Sequence, residues 1–187
     1  NWTTSNVGTT STLYDSKWIN ATTGYLCGSS GCFRYTTNGG ANWQGTNPPT
    51  TGTMQRILVS GSTIYVGGFD QVNIYSTTDI GTTWNTIPFA ASGQYSTFNI
   101  YSMDIVGSTI LVGGTYGLMN KSTNAGANWV TATSHTTVAN MVDVYASSGN
   151  GRVIAIGSNT GGLDACVYST NGGTTWNIIG MISGANP

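Results

Sequence analysis

Tyr35-Thr36-Thr37-Asn38-Gly39-Gly40-Ala41-Asn42-Trp43 decides how this chain is read, because the same pattern returns three more times. Ser76 to Trp84 reads Ser-Thr-Thr-Asp-Ile-Gly-Thr-Thr-Trp, and Lys121 to Trp129 reads Lys-Ser-Thr-Asn-Ala-Gly-Ala-Asn-Trp. Tyr168 to Trp176 reads Tyr-Ser-Thr-Asn-Gly-Gly-Thr-Thr-Trp. Seven residues before each Trp stands a hydroxyl residue: Thr36, Thr77, Ser122 or Ser169. Five before it stands Asn38, Asp79, Asn124 or Asn171, and three before it Gly40, Gly81, Gly126 or Gly173. Position six is Thr every time. A hydroxyl and an Asx side chain two residues apart can satisfy backbone groups inside a tight turn. The Gly supplies a positive φ, and Asn tolerates left-handed backbone as well as Asp does. The Trp then begins the next strand and packs over the turn. Each motif is a folding staple, not an active site.

The Trp spacings of 41, 45 and 47 residues match one four-stranded repeat unit. Strand signals lie upstream of each motif: Gln55–Val59, Thr63–Gly68 and Val72–Tyr75 in the second unit. Ser108–Gly114 in the third unit matches Ser62–Gly68. In the fourth, Met141–Val144, Arg152–Ile156 and Cys166–Tyr168 play these parts. With the segment after each Trp, every unit supplies four strands, A to D. The predicted fold is all-β: one β-propeller domain over 1–187, of four-stranded antiparallel blades at about 8–47, 48–89, 94–134 and 138–181. Residues 1–7 form an extra strand.

The repeated motif resembles the Asp-box (BNR) signature Ser-x-Asp-x-Gly-x-x-Trp of sialidase-type propellers, with Asn for Asp in three copies. Leu13–Trp18, Gly24–Gly28 and the first box together resemble the opening blade of the Ycf48-like photosystem II assembly factors and related bacterial propellers. The resemblance implies the propeller architecture and says little about a shared partner.

Composition narrows the classes. Charged residues make up only 6% of the chain and the net charge is −1, so there is no electrostatic footprint for nucleic acid or an anionic membrane. No apolar run is long enough to span a bilayer. Low charge without disorder-type composition predicts a secreted protein, extracellular or on the cell surface. Cys27 and Cys32 enclose Gly-Ser-Ser-Gly, so a disulfide across a hairpin end is expected, while Cys166 reads as a small buried residue. No second Cys pair or nearby His completes a metal site, and no cofactor is expected.

Trp2 sits 41 residues before Trp43 and reads as a fifth D strand for four A–B–C sets. The chain is then a piece of a longer propeller, a compact four-bladed ring with a spare strand, or a subunit whose spare strand or open edge pairs with a neighbour.

Catalytic residues are scarce: there is no Glu, one His and six Asp. The sialidase-type resemblance implies a Glu and three substrate-gripping arginines; the Glu is missing, and Arg34, Arg56 and Arg152 stand in no such motif. Asp15, Asp104 and Asp143 fall in A strands, which line a propeller's channel, where they could hold a cation, bind sugar hydroxyls or serve a glycoside hydrolase. The competing reading is that they bond backbone amides. His135 lies in a polar loop and reads as solvated. Tyr95 and Phe98, in a long connection, and Tyr116, in a Gly-flanked turn, are candidates for stacking on sugars or for packing. The expected function is non-catalytic: an extracellular structural, self-assembling or adhesive module, polymerising by strand exchange. The alternatives are a glycan-binding or glycoside-hydrolase module and a Ycf48-like assembly factor.

Overall fold

In the computed structural model the described residues are 4–69, 73–88, 98–131, 140–158 and 163–183, with side chains omitted for 163–165 and 180–183. They form four antiparallel sheets. The first holds β1 (Leu13–Trp18), β2 (Gly24–Gly28) and β3 (Phe33–Thr36), and its fourth strand is reduced to a bridge between Tyr35 and Gln44. The second is β4 (Thr53–Ser60), β5 (Thr63–Phe69), β6 (Asn73–Thr77) and β7 (Asn85–Pro88). The third is β8 (Ile100–Val106), β9 (Thr109–Gly114), β10 (Met119–Ser122) and β11 (Val130–Thr131). The fourth is β12 (Asn140–Ala146), β13 (Val153–Ser158), β14 (Leu163–Ser169) and β15 (Asn177–Ser183). A single 3-10 turn at Thr115–Gly117 is the helical content among the described residues. Each sheet follows chain order, as a meander of hairpins does, which gives the expected propeller blade.

The chain divides into two compact units, residues 1–87 with blades one and two, and 88–187 with blades three and four. In the first unit Tyr25, Cys27 and Phe33 pack against Met54, Ile57, Ile64 and Val66 of the second blade. In the second unit Leu111 and Met119 pack against Met141, Val144, Val153, Ala155 and Val167 of the fourth. Alternation along each strand sends one set of side chains to each face, and burial of these sets joins the blades in pairs.

All four A strands carry a β-bulge at the same register, at Tyr14, Gln55, Tyr101 and Val142. Each bulge faces a Gly near the end of strand B, namely Gly28, Gly68, Gly114 or Gly157. The extra backbone residue leaves no space there: a Cβ on Gly68 would stand 1.9 Å from the Thr53 carbonyl oxygen. This coupling of bulge and glycine is a second repeated device beside the box.

Trp2 lies outside the described residues. Residues 4–7 are described and are not a strand.

Candidate functional site

The four boxes share one hydrogen-bond pattern. In the second, Thr77 Oγ1 accepts from the amides of Asp79 (3.3 Å) and Gly81 (2.9 Å) and donates to Asp79 Oδ1 at 2.7 Å. Asp79 Oδ1 also accepts from Thr83 N at 2.9 Å, closing the turn ahead of Trp84. Thr36 and Asn38, Ser122 and Asn124, and Ser169 and Asn171 repeat these bonds onto Gly40, Gly126 and Gly173. The Asx residue acts only through Oδ1 in this pattern, so Asn serves in place of Asp. Asp79 gains one further bond, because the Thr83 hydroxyl donates to its second oxygen at 2.6 Å. That hydroxyl, with the Thr83 amide and the Thr77 hydroxyl, holds the Asp79 carboxyl down at about 2.

The box also forms the joint between paired blades. A Cβ on Gly81 would come within 2.9 Å of the Phe33 ring of the first blade, and one on Gly173 within 2.8 Å of Leu111 of the third. The glycine is therefore required twice, by its φ of +86° or +81° and by the neighbouring blade's side chain. Trp84 packs edge-on to Phe33, with ring centroids 5.1 Å apart, and its Nε1 donates to the Thr46 carbonyl at 3.1 Å. Thr46 Oγ1 in turn donates to the Gly81 carbonyl. Thr46 stands three residues after Trp43, and Ser5 stands three after Trp2. Ser5 Oγ donates to the Gly40 carbonyl at 2.6 Å and accepts from Trp43 Nε1 at 3.2 Å. The N-terminal segment thus sits on the first box much as the first blade's D segment sits on the second.

The A-strand aspartates bond backbone. Asp15 accepts from Ser16 N at 2.8 Å with one oxygen and from Ile57 N, in the next blade, at 3.0 Å with the other. Asp104 does the same with Ile105 N at 2.8 Å and Ala146 N of the fourth blade at 2.6 Å. Asp143 is exposed and accepts from Val144 N at 3.1 Å. Among the described residues no three His, Cys, Asp or Glu side chains gather where an ion could be held.

The expected disulfide is absent: Cys27 and Cys32 are free thiols, both buried. Register explains this. Cys27 is paired across the hairpin with Phe33, so Cys32, one residue earlier, points to the opposite face. Cys27 joins the core beside Phe33, whereas Cys32 Sγ lies 3.8 Å from Thr9 Oγ1. Burial pushes the Cys27 thiol up, away from the reactive thiolate. Cys166, also free, is half-buried.

Of the aromatic candidates, Phe98 is buried, and Tyr116 is exposed on the 3-10 turn with a φ of +57°. Tyr95 and His135 lie outside the described residues. An open groove of about 400 Å³ that sequence reading missed lies on the fourth blade, between Tyr145, Arg152, Ile154, Tyr168 and Ile179. Its signal was in the sequence: Ile154 and Ile156 alternate with the inward Val153 and Ala155, leaving an apolar residue at every position of β13 up to Gly157.

The sequence profile of the photosynthesis system II assembly factor YCF48 matches residues 1–179. The chain belongs to that family. It is similar in fold to YCF48 bound to D1 peptide, with a TM-score of 0.69 and 20% identity over 92% of this chain and 54% of that one. YCF48 from Cyanidioschyzon merolae gives 0.66 and 19% over 92% and 57%. A GH74 enzyme of Niastella koreensis gives 0.64 and 22% over 85% of this chain and 28% of that one. The chain thus spans about half the length of the YCF48 structures it matches. No curated protein matches significantly. Family membership overturns the expected extracellular or cell-surface location, since a photosystem assembly factor is not an extracellular protein. No helix among the described residues is long and apolar enough to cross a membrane.

Proposed function

We propose that this YCF48-family chain is a non-enzymatic binding propeller that holds a segment of a partner protein during assembly. The observation that carries this reading is the family match across residues 1–179. It is supported by the complex of a family structure with D1 peptide, a protein ligand. The carboxylates of the A strands favour it as well. Both oxygens of Asp15 and of Asp104 accept backbone amides, so neither is placed as the free acid and base that glycoside hydrolysis needs. The GH74 likeness, at 22% identity, concerns fold alone. The self-assembling and glycan-binding readings give way to this one.

The test is a fluorescence-anisotropy titration with labelled D1 peptide as probe, against a scrambled peptide of the same composition. Saturable binding of the D1 peptide with at least about tenfold preference over the scrambled control, a difference of about 1.4 kcal/mol, supports the reading. Equal or no binding of the two peptides sinks it.

A further inference from the structure

Three Asn-Gly pairs occur in the chain: Asn38-Gly39 in the first box, Asn171-Gly172 in the fourth, and Asn150-Gly151 in the loop between β12 and β13. An Asn followed by Gly is open to attack by its neighbour, because no Cβ screens the next amide nitrogen and glycine backbone turns freely toward the side chain. The two box pairs are held against this. Asn171 Oδ1 accepts from Ser169 Oγ, Thr174 N and Thr175 N at 2.9, 3.2 and 2.9 Å, and its Nδ2 donates to Thr175 Oγ1 at 2.8 Å. The nitrogen that would attack is held too, since Gly172 N donates to the Gly151 carbonyl at 2.7 Å. In the first box Asn38 Oδ1 accepts from Thr36 Oγ1 and Asn42 N, and Gly39 N donates to the Thr22 carbonyl at 2.8 Å. In the third, Ala125 N donates to the Ser108 carbonyl at 2.9 Å. The loop between strands A and B thus ties down the amide that follows the box Asx residue in blades one, three and four.

The third pair is held by a single bond. Asn150 and Gly151 are exposed, and Gly149 and Gly151 take φ of +90° and +65° on either side of Asn150. Asn150 Oδ1 accepts from Arg152 N at 2.9 Å, which draws electrons from Cγ, while Asn150 Nδ2 and Gly151 N have no partner among the described residues. A cavity of about 190 Å³ bordered by Gly149, Gly151 and Gly172 leaves this loop room to move. We infer that Asn150 is a site of spontaneous deamidation, and that its conversion unlatches the fourth box and opens Asn171 to the same reaction. The Gly151 nitrogen bonds Asn150 Cγ, the Cγ–Nδ2 bond breaks, and ammonia leaves with the proton that Gly151 N gives up. Water then adds to either carbonyl of the succinimide ring and opens it. Opening at Cγ leaves aspartate. Opening at the backbone carbonyl leaves isoaspartate, in which the main chain runs through Cβ and Cγ. That detour lengthens the loop by one carbon, so the Gly151 carbonyl no longer meets Gly172 N. The nitrogen beside Asn171 is then released, in the box whose Trp176 packs with Leu111 and Met119 in the core.

The test ages the native chain in warm, mildly alkaline buffer and maps digests taken at intervals by chromatography and mass spectrometry, which separate Asn, aspartate and isoaspartate at each site. Asn150 should convert at least about tenfold faster than Asn38, as about 1.4 kcal/mol of extra opening free energy at the box requires. Equal rates at the two, or faster conversion of Asn38, overturn the inference. In urea the three sites should converge, since each is followed by Gly. A lead for Asn150 that persists in the unfolded chain also overturns it, because the fold is then not the cause. For the latch, Asn171 should convert only after a lag set by Asn150, and at least about fivefold more slowly in Asn150→Ser, the effect of one retained hydrogen bond. Ser has no amide to lose, and its hydroxyl can accept from Arg152 N as Asn does. Conversion of Asn171 without a lag, at one rate in both chains, refutes the latch. Should Asn150→Ser lower the melting temperature, the native chain decides alone: molecules with Asn171 converted beside an intact Asn150 overturn the inference.

Discussion

Replacing Thr77 by Val removes one hydroxyl from a fully buried position and keeps the β-branched shape, so it isolates the box from packing. Three hydrogen bonds go with the oxygen: those from the amides of Asp79 and Gly81 and that to Asp79 Oδ1. The bond from Asp79 N is the longest, and Asp79 is exposed, so water replaces what that residue loses. Gly81 is buried against Phe33, and its N–H is left without a partner. An unsatisfied buried donor costs about 1–3 kcal/mol. For a chain of this length that lowers the melting temperature by roughly 3–10 °C. The neighbouring Thr78 is the control: Thr stands at that position in all four boxes, yet it is exposed in all four. Thr78→Val should stay within about 0.5 kcal/mol of the parent. Thermal and urea unfolding followed by circular dichroism measure both. If the two variants lose the same stability, the box bonds are not what holds the turn, and the reasoning is wrong.

Ile80 adopts a φ of +59° where two of the other boxes have Gly, and it is partly exposed, so Ile80→Gly should raise stability by about 1 kcal/mol in urea denaturation, at the cost a β-branched residue pays in left-handed backbone. Gly81→Ala should do the reverse and cost more than about 2 kcal/mol, since the new methyl meets both the wrong φ and the Phe33 ring; little change in the urea midpoint would refute that. The Asp79 carboxyl is held at about 2, below its ordinary value near 4 in the unfolded chain, so its contribution is complete above about pH 4 and disappears as pH falls toward 2. Asp79→Asn should therefore flatten the stability profile between those limits in acid titrations, and an identical slope would show that the Thr83 bonds do not favour the ionised form.

The repeat made the blades legible, because a hydroxyl, an Asx and a Gly at fixed offsets from Trp are all local requirements of one turn. The same locality set the limit. The bulges at Tyr14, Gln55, Tyr101 and Val142 arise from pairing between strands, and only the Gly near the end of each B strand hinted at them. The spacing of Cys27 and Cys32 suggested a bridge, but the pleat puts them on opposite faces, which depends on register and not on separation. Asp15 and Asp104 sit on the A strands that their sequence context predicts, whereas their partners, Ile57 N and Ala146 N, lie 42 residues away in each case and carry no sequence signal. The groove on the fourth blade was hidden for another reason: Ile154 and Leu111 look alike in sequence, yet one is 40% exposed and the other 1%.

The acidic groups best placed for chemistry, Asp15 and Asp104, hold neighbouring strands through their bonds to Ile57 N and Ala146 N. Incubating the chain with xyloglucan and other soluble β-glucans, and assaying released ends by mass spectrometry, tests it most directly. The expected result is no product from the parent chain, together with a melting temperature lowered by about 3–10 °C in Asp104→Ala, which gives up charge-assisted bonds to Ile105 N and Ala146 N. Turnover by the parent that disappears in Asp15→Asn or Asp104→Asn while the fold keeps its stability would contradict it.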